Sequence, residues 1–311
     1  MSSPVKTCKI RKMRILAAAA LAAVLVPDFA FAGWREDMGI FRIGMVAQDR
    51  TPGELARLRD AYSTVLGMKA EIVPVSDLAA LIDAQASSRV DYAIYTALAY
   101  GAADRLCACV EPLAAPVSAD GATGLRAVLI GRKGAFDSLS AGISGEGAAA
   151  KLAIGPLDSA PAALLLNAGL SAGDRKLAAG SDALMLHPTL GEAVDAFAAG
   201  AANALLGWTP SNATGVLEGG VTWVLKGRGV PENAWHVLWT SAHLPNGPHA
   251  VRKSLPSEAK TLLAGFLTGL AASSPETYEA LEHDFGGGFV KVSAADYELA
   301  AQLAGQLAGK P

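Results

Sequence analysis

Phe41-Arg42-Ile43-Gly44-Met45-Val46, Ala70-Glu71-Ile72-Val73-Pro74-Val75 and Val90-Asp91-Tyr92-Ala93-Ile94-Tyr95 decide the fold. Each is a short run of apolar and β-favouring residues, the signature of a strand. Between the first two, Thr51-Pro52-Gly53-Glu54 opens a helix that runs to about Leu66, with Thr51 as its cap and Pro52 in its first position. Between the second and third, Ser76-Asp77 caps another helix, which continues through Gln85. This β-α-β-α-β order predicts a parallel sheet with right-handed crossovers. Open α/β sheets bind ligands at the carboxyl ends of their strands, and Tyr95 stands at such an end.

A second alternation follows. Leu125 to Arg132 reads as a long strand, and Lys151 to Gly155 as the next. A helix is predicted from about Pro161 to Asn167, a strand at Ser181 to Met185, a helix at Leu190 to Ala199 and a strand at Ala204 to Gly207. His236 to Ser241 reads as a strand leading back, and three C-terminal helices are expected at Pro256–Ala271, Pro275–His283 and Ala294–Leu307. The Gly- and Ala-rich stretch Gly142 to Ala150 reads as a surface loop. The expected organisation is a leader at 1–32, a discontinuous first lobe at 33–132 plus 240–311, and a second lobe at 133–239. Two passages between lobes make a hinge, and a cleft between hinged lobes can close on a small ligand.

The leader is legible in its own chemistry. Lys6, Lys9, Arg11, Lys12 and Arg14 precede the apolar run Ile15 to Val26, and Ala30-Phe31-Ala32 offers a small-residue cut before Gly33. That order predicts a cleaved secretory signal peptide and a soluble product in the periplasm. The formal net charge is −3, and removing the leader's cations makes the rest more acidic. Nucleic acid and anionic lipid are therefore poor partners. Hydrophobic residues make up 51% and charged residues 18%, which supplies apolar area for two cores and argues against disorder. No transmembrane helix is expected after the leader.

Cys107 and Cys109 are spaced C-x-C. On a strand both would share one face. They read first as two small core residues, with a strained disulfide as the alternative and half a zinc site as a weaker one. No pattern assembles a Ser-His-Asp arrangement, so no catalysis is expected. His187, His243 and His249 have no zinc-site spacing, and neither metal nor cofactor is expected.

The residues also carry a family pattern. Val90-Asp91-Tyr92-Ala93-Ile94-Tyr95 resembles the V-D-x-A-x-Y segment of periplasmic phosphonate/phosphite-binding proteins of ABC importers. Gly124 to Lys133 resembles that family's hinge strand. Trp239 to Pro256 is similar to its W-x-S-x-x-I-P-x-x-P-x-x-V-R-K-x-L-P return segment. The resemblance spans nearly the whole chain after the leader. It implies a type II periplasmic-binding-protein fold: two Rossmann-like lobes, a two-strand hinge and a ligand in the cleft. It also implies a monomer that meets a membrane permease transiently.

The same family carries an anion loop, G-x-x-x-S-T-S-G, whose hydroxyls and N–H groups hold phosphonate oxygens at a helix N-terminus. Here the stretch reads Gly155-Pro156-Leu157-Asp158-Ser159-Ala160-Pro161-Ala162. Gly155 and Ser159 match, whereas Ala160, Pro161 and Ala162 replace threonine, serine and glycine. Leu78 replaces an early cleft tyrosine, Leu190 a histidine and Gly247 an acid. Tyr95 and Ser159 carry over as expected ligand contacts. His187, Trp208 and Thr209 are further candidates for lining the cleft. The expected function is capture of a small polar ligand, of phosphonate type by resemblance, for an ABC permease. The alternative is a sensory module that presents its ligand-bound form to a membrane receptor.

Overall fold

The computed structural model describes residues 33–46, 50–135, 151–168 and 184–308. The leader, the Gly142–Ala150 loop and the start of the expected Ser181 strand lie outside these residues.

A short helix, α1 (Trp34–Met38), leads into β1 (Ile40–Val46). Then come α2 (Pro52–Leu66), β2 (Lys69–Val75), α3 (Leu78–Ala86) and β3 (Tyr92–Ile94). Local chemistry sets the ends. The Thr51 hydroxyl accepts from the Glu54 N–H, and the Glu54 carboxylate accepts from the Thr51 N–H at 2.7 Å, a reciprocal cap. Asp77 caps α3 through the Ala80 N–H at 2.8 Å. The predicted α/β repeat thus forms as read.

Two elements follow that the periodicity did not disclose: α4 (Ala97–Cys107) and β4 (Val110–Pro116). Alanines and Gly101 blur the apolar stripe of α4, and Pro112 argues against a central strand. The sheet accommodates Pro112 because the ladder to the neighbouring strand shifts register beside it, between His249 and Ala250. With β12 (His249–Arg252) and β13 (Phe289–Lys291), the first sheet has the order β13-β4-β12-β3-β1-β2. β1 pairs in parallel with β2 and β3, as predicted, and β12 is antiparallel to both β3 and β4. β2 is one of the two edge strands, a position that tolerates Pro74.

The second sheet is built from β5 (Gly124–Arg132), β6 (Leu152–Ile154), β7 (Leu184–Leu186), β8 (Ala204–Asn212), β9 (Gly215–Val216), β10 (Trp235–Thr240) and β11 (Leu244–Pro245). Its main order is β10-β5-β8-β6-β7. Helices α5 (Ala160–Asn167), α6 (Leu190–Ala198) and α7 (Val221–Gly227) belong to this part of the chain. β5 lies inside the second sheet, antiparallel to β8 and β10. The first passage between sheets therefore falls within 117–123.

The C-terminal segment adds α8 (Ser257–Ser273), α9 (Pro275–Leu281), a 3-10 turn at Ala294–Tyr297 and α10 (Glu298–Ala308). One core cluster, around Phe41, Leu58, Tyr62, Leu263 and Leu267, lies under α2 and α8. Another, around Val128, Ile130, Phe197 and Val221, lies under α6 and α7. A third joins the two sheets through Tyr100, Leu129, Leu164, Leu206 and Leu303.

The cysteine pair is joined by a disulfide, with Cα atoms 5.0 Å apart. The favoured reading of two small core residues gives way to the alternative of a disulfide: Cys107 ends α4, Cys109 precedes β4, and Ala108 between them takes the left-handed conformation at φ +50°.

Candidate functional site

The two passages between sheets are laced together. The Asn246 N–H donates to the Thr123 carbonyl at 2.8 Å, and its carboxamide donates to the Pro116 carbonyl at 2.9 Å. Ser241 closes the other end: its hydroxyl accepts from the Ala127 N–H, and its N–H donates to the Ala127 carbonyl, both at 2.9 Å. Arg126 donates to the Ser241 carbonyl at 2.8 Å. The strands approach so closely that a Cβ on Gly124 would stand 2.1 Å from the Leu244 carbonyl oxygen. Only a residue without a side chain fits there.

This hinge floors a cavity of about 680 Å³, within the range of small-molecule sites. One wall comes from α3, the end of β3 and the start of α4; the other comes from Asp158 and Ala160 at the start of α5. α10 closes a flank with Ala304 and Leu307, and Gln306 donates to Asn167 Oδ1 at 2.7 Å, tying α10 to α5.

Tyr95 lines this cavity and is 4% exposed. Its N–H donates to the Pro248 carbonyl at 3.1 Å, while its hydroxyl finds no partner among the described residues. Burial pushes its pKa up, so the phenol stays protonated. A buried hydroxyl without a partner is costly unless something occupies the space before it. Thr96, next along the wall, spends its hydroxyl on capping α4 through the Ala99 N–H at 3.2 Å.

The other expected contacts are placed differently. Ser159 caps α5, its hydroxyl accepting from the Ala162 N–H at 3.4 Å. Its neighbours Asp158 and Ala160 border the cavity; Ser159 itself does not. Pro161 sits in the first turn of α5, where its missing N–H breaks no helical bond. His187 is half-buried after β7, its N–H donating to the Ile154 carbonyl at 2.9 Å and its Nε2 without a partner among the described residues. Trp208 and Thr209 lie on β8, and neither borders the cleft. Thr209 instead lines a second cavity of about 330 Å³ with Trp223, Lys226, Glu232 and Trp235. Of the five residues singled out from the sequence, the structure brings Tyr95 alone to the cleft.

Asp158, Glu282 and Phe285 also line the cavity. Asp158 belongs to the loop quoted from the sequence, whereas Glu282 and Phe285 were not singled out, because Glu282 sits in a run of helical carboxylates that reads as a solvent-facing surface. Glu282 is in fact 8% exposed, and its Oε1 lies 2.5 Å from His249 Nε2. His249 Nδ1 in turn meets the Tyr92 hydroxyl, which accepts from Tyr62 at 2.7 Å. This buried chain runs from the first core to the cavity wall. No local signal in the sequence announces it, because its members come from four separate elements.

Gly247 explains the loss of the family's acid. A Cβ there would stand 1.8 Å from the Tyr95 carbonyl oxygen. Backbone at Tyr95 and Thr96, just beyond β3, occupies the place a carboxylate would need.

The comparisons agree with this geometry. Residues 45–297 match the family model described as ABC transporter, phosphonate, periplasmic substrate-binding protein. The chain belongs to this family. Its members are periplasmic solute-binding proteins of ABC transporters, and that is the role of this phosphonate-binding-family protein. Solved structures share the type II periplasmic-binding-protein fold. XAC2383 from Xanthomonas citri, solved bound to ATP, is 18% identical with a TM-score of 0.58, covering 87% of this chain and 97% of that one. PhnD1 from Prochlorococcus marinus, solved with methylphosphonate, is 12% identical with a TM-score of 0.53, covering 88% and 99%. A binding-protein component of an ABC phosphonate transporter from Pseudomonas aeruginosa is 17% identical with a TM-score of 0.51, covering 85% of each chain. No curated protein matches the sequence.

Proposed function

We propose that this family member captures a small molecule in the cleft beside Tyr95 and delivers it to an ABC permease without transforming it. The leader chemistry supports export to the periplasm by a cleaved signal peptide. The carrying observation is the 680 Å³ cavity over the laced hinge, lined by Tyr95, whose buried hydroxyl has no partner among the described residues. Bound ligand would shift the population toward a closed form by its differential affinity for that form. The protein acts as a monomer with the permease as its transient partner.

A thermal-shift panel tests this reading. It holds phosphonates, phosphite, sulfonates, amino acids, metal ions and uncharged aliphatic amides. At least one class is expected to raise the melting point at saturation, because a ligand at about 100 times its Kd adds about 2.7 kcal/mol. The variant Tyr95→Ala should lose that shift while still folding. A panel silent throughout would refute the receptor reading.

A further inference from the structure

The walls of the cleft carry a chemistry of their own. Among the described residues that line it there is no Lys, Arg or His. The charged groups present are carboxylates: Asp158 on one side and Glu282 on the other. An anion entering between them meets a carboxyl group on either side and, among the described residues that line the cavity, no cationic side chain.

The remaining surface is aliphatic. Leu78, Ile82, Leu98, Leu125 and Leu307 all line the cavity and are all half-buried. They pack against the core that joins the two sheets, yet keep part of their surface open to the cavity. Apolar surface in a concave site is a source of affinity for apolar solutes. The devices that would hold an anion's oxygens are correspondingly reduced. Ala160 has no hydroxyl, the Ser159 hydroxyl is spent on the α5 cap, and Gly247 leaves no room for a side chain. The uncharged polar side chains in the lining are Thr96, Asn246 and Tyr95, and the buried, protonated Tyr95 hydroxyl has no partner among the described residues. The N-terminal end of α4 beside it is already capped, the Thr96 hydroxyl accepting from the Ala99 N–H at 3.2 Å.

We infer that the cleft takes a molecule with an aliphatic body and an uncharged or cationic head, and not a phosphonate-type anion. This rests on the receptor reading above and names the ligand class for that same site. The body lies along Ile82, Leu98 and Leu307, and the head meets Tyr95.

A matched series separates body from charge. Hexanamide, hexylammonium and hexanoate share one chain and differ in the head, and methylphosphonate supplies the anion without the chain. Isothermal titration of the mature protein should give hexanamide and hexylammonium at least about tenfold tighter than hexanoate and methylphosphonate. Tyr95→Phe should weaken hexanamide about tenfold, the loss of one buried hydrogen bond. Ile82→Lys should weaken hexylammonium and favour hexanoate. Leu307→Lys makes the same test from another helix, and a thermal melt without ligand establishes that each variant folds. Hexanoate or methylphosphonate binding as well as hexanamide overturns the inference and leaves the receptor reading standing. Silence of the hexyl series while another solute raises the melting point has the same meaning. If no class in the panel binds, both fall.

Discussion

The return segment Trp239–Pro256 and the loop Gly155–Ala162 both resemble one family, yet they have diverged to different degrees. The return segment keeps its pattern almost intact, and residues along its length have structural duties. Ser241 and Asn246 lace the hinge, Gly247 lies against the Tyr95 carbonyl, Ala250 pairs with β3 and β4, and the Arg252 N–H donates to the Asp91 carbonyl. The loop carries no such load. Its remaining duty is to start α5, and Ser159 with Pro161 does that without threonine, serine or glycine. A scaffold segment is held by many partners at once, whereas a ligand loop answers only to its ligand.

The contrast can be broken most severely at Gly247. Gly247→Asp restores the family's acid but drives a side chain into backbone. It should cost about 3 kcal/mol, since the Tyr95 carbonyl can yield only by shifting β3. Chemical denaturation measures the loss; a neutral outcome would show that the hinge backbone adapts. Next comes the double variant Ala160→Thr with Pro161→Ser. Rebuilding the hydroxyls should leave the denaturation midpoint nearly unchanged and tighten methylphosphonate binding about tenfold. Unchanged binding would shift the blame for weak anion affinity from the loop to the carboxylate walls.

The smallest effect is a pH dependence inside the return segment. Burial first, and the nearby Arg126 charge second, lower the His243 pKa below its ordinary 6.5. The ring Nδ1 also lies 2.8 Å from the Ser211 hydroxyl. The unfolded chain then binds the proton more readily than the folded one. This contribution to stability is present above about pH 6.5 and is lost as pH falls through that value toward the lowered folded pKa. His243→Gln should flatten the slope of melting temperature against pH there. A slope that persists in the variant belongs to other groups.

Much of the fold was legible because it follows from local rules. Thr51, Pro52 and Glu54 mark a helix start wherever they occur, and three apolar runs separated by capped helices admit few arrangements. Helix α4 was hidden because alanine packs well without advertising a face, and β4 because Pro112 depends on a register shift in a partner far along the chain. β5 reads equally well as the last strand of one sheet or the first of the next, and only the sheet order places it in the second. The cleft was the least legible part. Tyr95 was visible at the end of a strand, but Thr209 and Trp208 sit on a strand whose relation to the cleft depends on sheet order.

By itself, the sequence determined the alternation of strands and helices, the capped helix starts and the family's return segment, all properties of neighbouring residues. Only the tertiary structure decided which side chains meet in the cleft. Glu282 and Asp158 are separated by more than a hundred residues, and they face one cavity because two sheets are laced at Ser241 and Asn246. The physical reason is range: hydrogen-bonded turns and caps are set within a few residues, whereas the charge and polarity of a cavity are sums over walls that only folding brings together.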